Sequence, residues 1–218
     1  MYALAVGIAT KNIKDEYLEV YYPRPIFRPE QKLVDSFAEV TGYNGGNTEI
    51  ELSTSDIARL KESMPDNIQR HLLKKLENSW RPILLTLLDS DSHLRSTPEA
   101  YLKLHLLSHR LVMPNAQNLE GIYPLLPNVA WTENGAVDLE ELEAMQIEER
   151  LKGRVLEVSA VDKFPKMTNY VVPNGARIAH SARVRLGAYI GDGTTVMHEG
   201  FVNFNSGAIG PNMIEGRI

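Results

Sequence analysis

The sequence predicts an α/β domain followed by the first coils of a left-handed parallel β-helix built on a hexapeptide repeat. Val172, Ile178, Val184, Ile190, Val196 and Val202 recur at every sixth position, and each is branched and aliphatic. Two places before the later five stand small residues: Ala176, Ala182, Ala188, Thr194 and Gly200. Short strands that turn a corner every six residues stack each branched side chain on the one a coil below. An α-helix would repeat at about 3.6 residues and a half-buried strand at 2. Upstream, strand-like and helix-like patterns alternate over residues 1–95, which predicts the α/β domain.

Element by element, YALAVGI and YLEVYY read as two strands joined by the polar NIKDE turn. The prolines of PRPIFRP then break the pairing. From Pro29, the spacing of Leu33, Val34, Phe37 and Val40 is helical and stops near Gly42. TEIELS alternates as a strand, and Ser53 or Ser55 is placed to cap the helix DIARLKESM. Pro65 opens a further helix with Ile68, Leu72, Leu73 and Leu76 on one face, and PILLTLL is a buried strand.

Residues 96–165 read as connecting helices and extended segments. Ser96, Pro98 and Glu99 form a helix start, because proline suits the first turn and a carboxylate suits the N-terminal dipole. The helix EAYLKLHLLSHRLV follows. MPNAQNLEGIYPLLPNVAWTENGAV reads as a long ordered connection, DLEELEAMQIEERLKG as an acidic helix and RVLEVSAV as a strand. Residues 166–218 begin the β-helix. Ala208 and Ile214 keep the six-residue phase, but SGAIGPN is expected to form a loop. No capping element follows, so the sequence reads as a C-terminally truncated chain.

Composition narrows the function. The chain has 23 basic and 28 acidic side chains, a formal charge of −5, and no basic cluster interleaved with aromatics, which argues against nucleic acid as a partner. No cysteine is present, so thiol catalysis and a disulfide scaffold are excluded. No apolar run has membrane-spanning length and the N-terminus lacks a basic signal region; a cytoplasmic protein is expected.

Several blocks together resemble the tetrahydrodipicolinate N-succinyltransferases of bacterial lysine biosynthesis, in their longer, Pseudomonas-type form. They are STPEAYLKLHLLSHRL (96–111), PLLPNVAWT (124–132), VDKFPKMTNYVVP (161–173), RVRLGAYIG (183–191), TTVMHEGFVNFN (194–205) and MIEGRI (213–218). The match is strong over 96–218 and in outline only before that. SGAIGPN departs from the family's AGTEGPG-like sequence. The resemblance implies succinyl transfer from succinyl-CoA to the amine of L-2-amino-6-oxopimelate by a homotrimer with active sites between subunits. Two alternatives stay open: another hexapeptide acyl-CoA transferase, or a non-catalytic trimerisation fragment. The chain as it stands is expected to be inactive, since later coils would carry the coenzyme A arm.

By the same resemblance Glu215 is the catalytic residue, as a base or through an acyl anhydride, and Arg217 contacts succinyl-CoA. An extended segment would project both from one face, although spacing alone favours a surface ion pair. Glu199 matches a position ascribed to magnesium near the threefold axis, where relatives add an aspartate and this chain has Ala182. His180 and His198 lie one coil apart, but zinc between subunits would need a third histidine. His105 and His109 share a helix face without the glutamate of a zinc-protease motif, and read as packing or surface residues.

Overall fold

A computed structural model describes all residues from Met1 to Ile218. β1 (Ala3–Lys11) pairs antiparallel with β2 (Tyr17–Tyr21) across the expected turn. The proline segment does not leave the sheet: β3 (Ile26–Phe27) returns to pair with the start of β1. α1 (Gln31–Thr41) ends at Gly42, whose φ of 73° is the left-handed cap that glycine tolerates best. β4 (Thr48–Glu51) leads to Ser53, which forms a reciprocal capping box with Asp56 at the start of α2 (Thr54–Ser63). α3 (Asn67–Leu76) follows, and β5 (Ile83–Leu88) inserts between β1 and β4. Leu72, Leu73 and Leu76 of α3 are buried, whereas Ile68 is 60% exposed, against expectation.

The apolar run of β5, broken only by Thr86, is explained by cover on both faces. Leu4 and Val6 of β1 join Ile83, Leu85 and Leu87 of β5 in a cluster with α1, α2 and α3. The alternate residues, Ala3, Ala5 and Ala9 with Leu84 and Leu88, enter a second cluster on the opposite face. This is strand alternation applied to two cores. Alternation puts residue 7 on the second face too, and it is glycine there because a Cβ would come within 2.6 Å of the Tyr22 ring.

α4 (Thr97–Ser108), capped by Ser96, fills that second core and is buried from Pro98 onward. Lys103 and His105 on it are bonded internally, whereas the buried Tyr101 hydroxyl has no partner. Lys103 Nζ donates to Asp91 Oδ1 at 2.6 Å and to the carbonyls of Ser92 and Asn118. His105 accepts from Tyr22 N through Nε2 at 3.2 Å, and its Nδ1 lies 2.7 Å from Tyr101 O. Burial pushes the His105 imidazole down to about 3, so the ring is neutral and fully bonded as a packing residue.

The segment expected to be a long connection contains α5 (Ile122–Leu125) and a hairpin of β6 (Val129–Thr132) with β7 (Gly135–Asp138). The exposed acidic α6 (Leu139–Leu151) precedes β8 (Val158–Asp162), which pairs with β6 on its other side.

The repeat then forms parallel ladders of two-residue strands. β9 (Arg177–Ile178), β11 (Thr195–Val196) and β13 (Met213–Ile214) make one; β10 (Tyr189–Ile190) and β12 (Gly207–Ala208) make the second. The bridge Val184–Val202 begins the third. Val184, Ile190, Val196 and Val202 are fully buried, and Ala208 and Ile214 nearly so. Two expectations are corrected. SGAIGPN is not a departure from the coil, because Gly207–Ala208 and Met213–Ile214 pair in register with the coil before. Val172 is 74% exposed and forms no ladder pair with Ile190; the neighbouring Val171 is the one buried, and the stack starts at Ile178.

Candidate active site

The ladders place the predicted residues on one corner of the coil. After β11, residues 197–200 turn the corner before Phe201; after β13, only Glu215 and Gly216 intervene before Arg217, which bridges Phe201. Phe201 N donates to Gly216 O at 2.9 Å and Ile218 N to Phe201 O at 2.8 Å, so the shorter turn is closed by regular parallel bonding. Gly200 allows this approach, because a Cβ there would collide with the Ile214 carbonyl oxygen.

Glu215 and Arg217 are both exposed, while Ile214 between the ladders is buried. No ion pair joins them, and Glu215 has no side-chain hydrogen bond. Its carboxylate is free to meet a ligand. The Arg217 guanidinium lies 5.5 Å from the Phe201 ring centroid, and Arg185 lies 5.6 Å from the same ring. Arg185 is fixed further by Asn203 Oδ1 at 3.1 Å and Asp162 Oδ2 at 2.8 Å. A carboxylate without partners beside a guanidinium stacked on an aromatic is equipped to take a proton from an amine and to hold an anionic substrate.

Glu199 projects from the four-residue turn, exposed. Arg183 Nη2 lies 3.3 Å from Glu199 Oε2 and donates to the Glu199 carbonyl at 2.9 Å; His198 Nε2 is 3.6 Å from Glu199 Oε1. One carboxylate already facing a guanidinium is a poor donor set for a hard cation. Ala182 adds no oxygen, and nowhere do three ligating side chains of the His, Cys, Asp or Glu type converge. His180 and His198 form no ring contact.

A cleft of about 660 Å³ opens elsewhere, between β1, β2 and the β6–β7–β8 sheet. Its buried Glu19 is held by Thr10 Oγ1 at 3.0 Å, by Ala136 N at 3.2 Å and by the Tyr170 hydroxyl. That carboxylate is saturated by donors and ties the coil entry to the sheet. Sequence reasoning missed it: Glu19 and Tyr170 are far apart in the chain, and neither stands in a pattern that predicts the contact.

Residues 126–166 match the family model described as the tetrahydrodipicolinate N-succinyltransferase middle region. A 2,3,4,5-tetrahydropyridine-2,6-dicarboxylate N-succinyltransferase of Pseudomonas putida is 58% identical over all of this chain and 64% of its own length. The protein of the same name from Vibrio cholerae is 48% identical with the same coverage. A crystal structure of a Campylobacter jejuni protein, provisionally assigned as a 2,3,4,5-tetrahydropyridine-2-carboxylate N-succinyltransferase, superposes with a TM-score of 0.88. It is 26% identical and covers 99% of this chain and 62% of its own. The chain thus spans just under two thirds of the length of the relatives it matches.

Proposed function

The chain is related over its whole length to the tetrahydropyridine-dicarboxylate N-succinyltransferases, and from that premise we propose that the whole protein is an acyltransferase moving succinyl from succinyl-CoA to the amine of L-2-amino-6-oxopimelate. The observation that carries this reading is the 58% identity to a protein of that name over the full length of this chain. The 18-residue spacing of the parallel ladders supports reading the coil as a left-handed hexapeptide β-helix. We divide the chain into an α/β unit (1–95), a connecting unit (96–165) and the coil (166–218).

In this mechanism Glu215 takes a proton from the substrate ammonium. The freed amine attacks the thioester carbonyl, forming the C–N bond. The C–S bond then breaks: coenzyme A leaves as its thiol with the proton Glu215 had taken, and the nitrogen releases its second proton to water to become the amide. Arg217, oriented by Phe201, holds a carboxylate of the succinyl arm. In a single chain Glu215 faces water, where a base loses most of its advantage. A second subunit against this corner would enclose it, which supports a homotrimer with sites between subunits. Magnesium at Glu199 would need carboxylates from symmetry-related chains, because one chain's residues do not fit it. A reducing cytoplasm suits a chain without cysteine.

The test offers succinyl-CoA and acetyl-CoA to the full-length protein with the amino-oxopimelate acceptor and follows thiol release. The expected kcat/KM for succinyl-CoA is about 100-fold or more above that for acetyl-CoA, the scale of a missing carboxylate contact. Equal use of both donors would point to another hexapeptide acyltransferase. Release with neither would refute transferase activity on this acceptor.

A further inference from the structure

We propose that the cleft between β2 and α3 is a binding site for a small organic dianion with an apolar body, separate from the coil corner. The cleft measures about 640 Å³, within the range of small-molecule sites. Its charged lining is wholly basic, Arg24 and Lys75, with the His71 imidazole beside them and no carboxylate among the lining residues. None of these three side chains makes a hydrogen bond or an ion pair. Three unpaired basic groups around one cleft are unexpected in a chain carrying five more acidic than basic side chains.

The site is also preorganised. Arg24 sits between Pro23 and Pro25, whose rings restrict the backbone on both sides. Gln69 Nε2 donates to the Arg24 carbonyl at 3.4 Å and ties this segment to α3. Asn67, His71 and Lys75 follow one another at one-turn spacing, about 6 Å apart along the helix. They form a row of donors facing Arg24. Beside that row run Ile68, Leu72 and Leu76, and across from it lie Tyr21 and Ile8. Ile68 and Tyr21 are exposed here, although both are large and apolar. A row of donors beside an apolar floor is matched by a ligand with two negative charges on a flat or aliphatic body. Phosphate monoesters and dicarboxylates share that chemistry.

Calorimetric titration with three probes tests the proposal: adenosine monophosphate, benzene-1,3-dicarboxylate and inorganic phosphate. At least one of the two organic dianions should bind saturably, and the one that binds tells a phosphate monoester from a dicarboxylate. Inorganic phosphate should bind about tenfold or more weaker, since it cannot use the apolar floor. The exposed double substitution Arg24→Gln/Lys75→Gln should weaken the organic ligand by about 100-fold, because it removes two charge-assisted hydrogen bonds. Ile68→Ser should weaken the organic ligand but leave phosphate unchanged, and it stands in for the double variant if that fails to fold. Absence of saturable binding at millimolar concentrations of both organic probes would overturn the proposal. So would unchanged affinity in the variants, or phosphate binding as tightly as the organic ions. None of these readouts involves acyl transfer.

Discussion

Ser108 and Gly187 meet where the end of α4 touches the coil: Ser108 Oγ accepts from Gly187 N at 2.8 Å and donates to Ala188 O at 3.2 Å. Arg110, two residues on, donates to Ile190 O at 2.6 Å and to Asn174 O at 2.8 Å. These bonds fix where the coil begins relative to the sheet. Ser108→Ala leaves the Gly187 amide buried and unpaired, which costs about 1–3 kcal/mol. Denaturant unfolding should show that loss, and an unchanged midpoint would mean the coil is held by its apolar contacts alone.

Gly200→Ala should damage the corner locally. The new methyl group would displace the Ile214 carbonyl, which accepts from Met197 N at 2.9 Å. The expected cost is about 1–3 kcal/mol. Faster hydrogen exchange at Met197 and Phe201 than in the sheet would locate it, and uniform exchange would show that the coil absorbs the methyl group.

Glu215→Gln in the full-length protein should lower turnover by about 10²–10⁴-fold, the range for a lost general base. Glu215 is exposed and has no partners, so the melting temperature and oligomeric state should not change. Near-normal turnover would remove Glu215 from the mechanism and direct attention to His198.

Acid should destabilise the fold through His105. Its pKa is held at about 3 in the folded chain by burial, against 6.5 for a free imidazole. The unfolded chain therefore takes up a proton that the folded chain refuses as pH falls below 6.5. The stabilising contribution is complete above 6.5 and is lost progressively down to about 3. His105→Gln removes this titration, so its stability should fall less steeply than wild type between pH 6.5 and 4. Parallel slopes would show that His105 is protonated in the folded state.

Much of this architecture is legible in the sequence because it rests on local periodicity. A serine cap on α2, the helical stop at Gly42 and the stacked column from Ile178 to Val202 follow from residue type and spacing; the choice of Ser53 over Ser55 and the coil's continuation through Ala208 do not, because glycine and proline in SGAIGPN read as loop signals. A count of six cannot show where the first coil begins, so it takes in Val172, although it is Val171 that is buried there. The β6–β7 hairpin is hidden in a segment rich in proline, although Asn134-Gly135 is a recognisable tight-turn signal. Glu215 and Arg217 are recognisable by motif alone. Their setting depends on a turn two residues shorter than the one before it, which a strict repeat would not predict. The Arg24 cleft has no sequence signature, because its two walls come from separate elements.

The apolar cluster that begins at Ala3 of β1 passes through Leu104 and Leu106 of α4 and reaches Val196 and Ile214 in the coil. Repeat coils taken alone touch only their neighbours and can melt stepwise from an end. Here the first rungs are built onto a platform that is already closed on its other face by α1, α2 and α3. Loss of the sheet would strip the coil of its base, and loss of the coil would open the core under α4. The two should unfold in one cooperative heat-absorption peak, so that a lesion in either lowers the same melting temperature.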